Sequence, residues 1–148
     1  MMDALDVASY ILYRCSEECV SVSNTKLQKL LYFVFGSYYR NTGEELFAEA
    51  FFAYPRGPVV ESVYNSYRGF AGAPIYEISV PEISGNIKSI VDSIVSEYGN
   101  KPVEDLIIES HVAGGAWDRT AKDNPGPYPV DCYPEISRAY IYAEFSRR

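Results

Sequence analysis

A single histidine, three cysteines and no long apolar run are the first constraints this 148-residue sequence imposes. The cysteines are Cys15, Cys19 and Cys132, an odd number without the regular spacing of a disulfide framework. Cys15 and Cys19 are spaced to meet on a helix, but one histidine and no second cysteine pair leave a zinc site incomplete. The cysteines therefore read as buried free thiols, and neither a metal nor a cofactor is expected. No apolar stretch approaches the roughly 18 residues of a membrane span. The N-terminal MMDALDVASY lacks the basic leader of a signal peptide, which predicts a reduced, cytoplasmic protein with no membrane attachment. Basic charge is scarce as well: 13 Lys and Arg against 20 Asp and Glu give a net charge of −7. A nucleic-acid ligand is not expected, because phosphate binding calls for a basic face. GPVVES lacks the lysine and second glycine of a phosphate-cradling loop.

What remains is ample material for a core. Hydrophobic residues make up 47% of the chain, and glycine and proline are scattered rather than gathered into a linker. One domain spanning 1–148 is expected. Asp3 is placed to cap a first helix carrying Ala4, Val7, Ala8, Ile11 and Leu12 on one face and ending near Cys15. The strongest periodicity follows Ser23, the predicted N-cap, with Thr25 as its alternative. Leu27, Leu30, Leu31, Val34, Phe35 and Tyr38 form a stripe, widened by Tyr32, Phe33 and Tyr39, so this helix should be buried on more than one side. Asn41-Thr42-Gly43 stops it.

LFAEAFFAYP suggests a short strand, with PIYEIS (74–79) as its partner. GPVV reads as a helix start, with Pro58 at the first helical position and Val59, Val60, Val63, Tyr64 and Tyr67 on one face. Gly69 and Gly72 close that helix. Further helices are predicted from about Pro81 to Tyr98, over 102–110, and from about Pro134 onward. Between the last two, HVAGGAWDRTAKDNPGPYP reads as a loop with one tryptophan anchor. The expected fold is mainly α: a single compact domain of about six helices, with room for a small two-stranded β element.

No catalytic constellation stands out. A Cys–His–Asp site would need His111 and Asp118 brought to a cysteine by the fold, with no local motif in support. Glu17-Glu18 and Glu44-Glu45 read as solvated pairs. The AGGA segment (113–116) could offer N–H groups to an anion, though it reads first as a flexible connection. A lone histidine at a helix end is ordinarily a cap or packing residue, and a lone tryptophan a core anchor. Both can also mark a binding surface, as can the excess of tyrosine, fourteen in all.

Three motifs in order carry a resemblance: KLQKLLYFVFGSYY (26–39), FAYPRGPVVESVYNSY (52–67) and LIIESHVAGGAWDRT (106–120). Together they resemble the SocA-like antitoxin or Panacea domain, related to phage-associated GepA proteins. The family often has tryptophan or another aromatic shortly before the glycine–proline, a place held here by Tyr54, and often proline before the loop tryptophan, where this sequence has Ala116. The resemblance implies a non-enzymatic antitoxin that binds a cognate toxin encoded beside it, or delivers the toxin to an AAA+ protease as an adaptor. It marks Lys29, Tyr32, Arg56, His111 and Trp117 as candidate partner-binding residues, with Arg56, His111 and Trp117 in a shared groove. Gly57 and Pro58 would shape that groove, Val59 would complete their structural motif, and Leu27, Leu30 and Leu31 would belong to the core. Homo-oligomerisation is compatible with this reading. The rival readings are a phage or mobile-element interaction domain with another partner, and a hydrolase using cysteine and His111.

Overall fold

The computed structural model describes residues 1–129 and 132–148. Helix α1 (Ala4–Glu17) buries the predicted face, with Ala4, Val7, Ala8 and Ile11 wholly enclosed. Asp3 holds the N-cap position without capping through its side chain. The Ala4 amide donates instead to Glu49 Oε2 at 3.0 Å. Helix α2 (Asn24–Thr42) begins as expected, with Ser23 accepting a hydrogen bond from the Lys26 amide at 3.2 Å. It ends at Gly43, whose φ of 73° closes the last turn. Buried residues surround α2 on most of its circumference because α1, α3, α4, α5 and α7 all pack on it. Its Tyr32 meets rings of other elements edge-on, lying 5.2 Å from the Phe51 ring and 5.3 Å from that of Phe145, while Phe33 stacks on Tyr98 at 4.7 Å.

The β element is larger than predicted and differently paired. Strand β1 (Phe51–Tyr54) lies between β2 (Gly57–Val59) and β3 (Glu135–Ile136) in an antiparallel sheet ordered β2-β1-β3. Residues 74–79 do not pair with β1; both of its edges are already occupied. GPVV is likewise not a helix start. Gly57-Pro58-Val59 is the return strand of a hairpin, and helix α3 (Glu61–Ser66) begins only after Val60. A proline without an N–H suits an edge strand as well as a first helical turn, so the sequence was ambiguous there.

A short 3₁₀ turn (Arg68–Phe70) follows α3. Helix α4 (Gly85–Tyr98) starts four residues later than Pro81 suggests, and α5 (Val103–Ser110) falls where expected. Part of the predicted loop after His111 is helix α6 (Ala116–Asp123), and α7 (Arg138–Ser146) starts beyond β3 rather than at Pro134. The described residues thus hold seven α-helices and a three-stranded sheet. Arg138 fixes the stretch leading into β1. Its guanidinium donates to Glu45 Oε1 (2.7 Å) and to the carbonyls of Phe47 (3.0 Å) and Glu49 (2.6 Å), over the Phe35 ring. Glu45 is therefore paired rather than merely solvated, as are Glu17 and Glu18 with Arg14. Of the cysteines only Cys15 is buried; Cys19 and Cys132 are exposed, correcting the expectation of three buried thiols.

Candidate functional site

The site grows from two polar residues inside the α2 stripe. Leu27, Leu30 and Leu31 are fully buried core residues, yet Gln28 and Lys29 between them are only 0% and 1% exposed. Buried polar groups need partners, and these find theirs in the chain leaving the hairpin. Lys29 Nζ donates to the Pro58 carbonyl at 2.7 Å, and the Val60 amide donates to Gln28 Oε1 at 3.0 Å. Gln28 Nε2 in turn donates to Asn24 Oδ1 (3.1 Å), and Asn24 Nδ2 to the Tyr64 carbonyl (3.0 Å). One turn of helix therefore anchors both β2 and α3.

Pro55 and Arg56 form the hairpin turn between Tyr54 and Gly57. Proline presets φ for the turn, and Gly57 returns the chain to the ladder at φ 119°, a value L side chains rarely adopt. A Cβ on Gly57 would lie 2.7 Å from Ser110 Oγ and 2.8 Å from Lys29 Nζ. This glycine is where β2 crosses the end of α5 and the ammonium of Lys29.

On the other side of the hairpin, the indole of Trp117 donates from Nε1 to the Tyr54 carbonyl at 2.8 Å. Its ring lies 3.7 Å from that of His111, the C-cap of α5. His111 Nε2 is buried without a hydrogen-bond partner among the described residues. Burial, reinforced by nearby Lys29 and opposed by Asp118, holds the imidazole below its ordinary pKa and favours the neutral ring. The first turn of α6, which carries Trp117, is held by Glu144 of α7. Glu144 Oε1 accepts from the Ala116 amide (2.9 Å) and from the Tyr32 hydroxyl (2.8 Å), while Oε2 accepts from Arg148 Nε (3.0 Å).

The structure thus gathers Lys29, Arg56, His111 and Trp117 around one hairpin. Arg56 is exposed and makes no hydrogen bond or ion pair with any described residue. Tyr32 does not join them: it is fully buried, and its hydroxyl is spent on Glu144. Lys29 is no open surface residue either, because the core and the hairpin enclose it. It does line a cavity of about 300 Å³ together with Gln28, Tyr54, Arg56, Val59 and Tyr64.

Burial, and then the neighbouring Arg56 charge, push the Lys29 ammonium down to about 7. An unfolded lysine titrates near 10.4, so between those values the unfolded chain binds more protons and stability rises with pH. We expect urea denaturation to show about 2 kcal/mol gained from pH 7 to pH 9. Lys29→Met should flatten that slope; an unchanged slope would show that Lys29 is not the group responsible. Above pH 9 the trend should fade, because burial holds the Cys15 thiol up at about 11. The same shift disfavours a Cys15 thiolate nucleophile, and no cysteine lines the cavity.

The profile described as antitoxin SocA-like, Panacea domain, matches residues 27–118. The chain belongs to this family. The match runs from Leu27 on α2 to Asp118 on α6, so it contains every hairpin-facing residue named above. The chain is also 29% identical over 140 residues to Antitoxin SocA of Caulobacter vibrioides, covering 84% of this chain and 73% of that protein. No solved structure matches.

Two residues of this Panacea-domain site escaped the sequence reading. Gln28 sits within KLQKLL, where the leucines dominate the pattern. Glu144 stands alone in the aromatic run AYIYAEFS, and a single carboxylate amid rings is the one local sign that it is buried and partnered. Among the described residues, no group of His, Cys, Asp or Glu could hold a metal ion, and no helix is long and apolar enough to cross a membrane.

Proposed function

We propose that this protein is a non-enzymatic antitoxin that neutralises a toxin by binding it directly, through the face formed by the β1–β2 hairpin and the His111–Trp117 pair. The observation that carries the reading is Arg56. It stands exposed at the hairpin tip with no hydrogen-bond or ion-pair partner among the described residues, beside a half-buried aromatic pair fixed by the Tyr54 carbonyl. An exposed arginine on a hairpin and a half-buried tryptophan beside it are residue types that dominate binding energy at protein interfaces. A cytoplasmic location and a toxin encoded by the neighbouring gene complete the proposal.

Co-expression with the product of the neighbouring gene should restore growth, and the two proteins should co-purify. Arg56→Glu should weaken the complex by about tenfold or more, with no loss of fold because the side chain supports nothing internal. A wild-type chain that neither binds nor protects would sink the proposal. Protection that vanishes in a host lacking AAA+ proteases would replace direct neutralisation with proteolytic delivery.

A further inference from the structure

We propose that the cavity between α2, the hairpin and α3 binds the C-terminal carboxylate of a partner polypeptide. This rests on the protein-binding reading above and names the chemical group that the cavity, which shares Tyr54 and Arg56 with that hairpin, would capture.

Two cations, Lys29 and Arg56, line this cavity, and no described carboxylate forms an ion pair with either. This is unusual in a chain with seven excess negative charges, whose other ion pairs leave several acidic groups to spare. A buried ammonium ordinarily keeps a counter-charge, because isolated charge is costly away from water. Among the described residues Lys29 has one hydrogen-bond acceptor, the Pro58 carbonyl, for three N–H donors. An anion entering the cavity would take the remaining donors and relieve the repulsion between the two cations. Arg56 adds a planar fork of donors suited to a carboxylate.

The remaining lining selects among carboxylates. Besides the polar Thr25 and Gln28, it consists of Tyr54, Pro55, Val59 and Tyr64, which are apolar or amphipathic, and Tyr54 and Tyr64 lie ring to ring at 5.9 Å. Such walls fit an aliphatic side chain attached directly beside the charged group. A chain-terminal leucine or valine has that arrangement. An aspartate or glutamate side chain carries its carboxylate without it. The volume, about 300 Å³, suits one residue rather than a folded segment.

The test titrates the full chain by NMR with three peptides: N-acetyl-Ala-Ala-Leu with a free carboxylate, its C-terminal amide, and N-acetyl-Ala-Glu-Ala amide. Shifts should centre on Lys29, Tyr54, Arg56 and Tyr64, with the free carboxylate binding at least about tenfold more tightly than either amide. Arg56→Gln, which leaves the fold intact, and Lys29→Met should each lower that affinity by about tenfold. Equal binding of the carboxylate and its amide would overturn the inference. So would equal binding of the glutamate peptide, or no binding at millimolar peptide. Failure here alongside intact toxin protection would leave the antitoxin reading standing. Peptide binding without protection would remove that reading and keep the carboxylate site.

Discussion

Glu144→Ala should destabilise the protein by about 3–5 kcal/mol, the range for removing one partner of a buried charged network. The carboxylate joins three parts of the molecule: the Tyr32 hydroxyl on α2, the Ala116 amide that opens α6, and Arg148 beyond α7. Alanine leaves a buried phenol and a buried amide without acceptors, and each such orphan costs about 1–3 kcal/mol. Arg148 keeps the longer contacts to Glu109, at 3.4 Å to Oε1 and 3.5 Å to the carbonyl, and its place over the Phe145 ring. Glu144→Gln retains an acceptor for Tyr32 and Ala116 and should lose only about 1–2 kcal/mol. Chemical denaturation of the two variants checks the order. Equal losses would mean that the cost comes from packing volume rather than from the hydrogen bonds. The first turn of α6 also carries Trp117, so the alanine variant should change the indole fluorescence before global unfolding begins.

Gly57→Ala should cost roughly 2–3 kcal/mol, and it should damage binding beyond that loss. The backbone is held at a positive φ by the turn on one side and by the ladder to Tyr54 on the other. The added methyl would also sit against Ser110 Oγ and Lys29 Nζ. Lys29 has nowhere to retreat except into the cavity it lines, so the substitution should both strain the hairpin and fill the pocket. Thermal unfolding and toxin protection separate the two effects. A variant as stable as wild type would show that the hairpin relaxes without difficulty.

Local signals made much of the scaffold legible. Ser23 before a leucine stripe and Gly43 after it bound α2, because capping chemistry acts within one helical turn. The hairpin was misread because its decisive contacts are remote. Nothing between Tyr54 and Val60 says that Lys29 and Gln28, some thirty residues earlier, will satisfy the backbone at Pro58 and Val60. Helix α6 was taken for a loop for the same reason. Its sequence is polar and glycine-led, and its first amide is held by a carboxylate 28 residues away. His111 and Trp117 could be singled out as lone residues of their type, but their ring contact follows from where α5 ends and α6 begins.

The outer edge of β2 has a further consequence. A proline stands at its centre, and the carbonyl of that proline and the amide of Val60 are taken up by the two polar side chains of α2. An incoming strand would find no free row of donors and acceptors to pair with. The sheet is thereby insulated against extension on this side, whether by a toxin segment adopting a β conformation or by a second copy in an aggregate. A partner that engages the hairpin must do so through side chains and chain ends, which makes recognition depend on the partner's chemical identity rather than on generic backbone pairing.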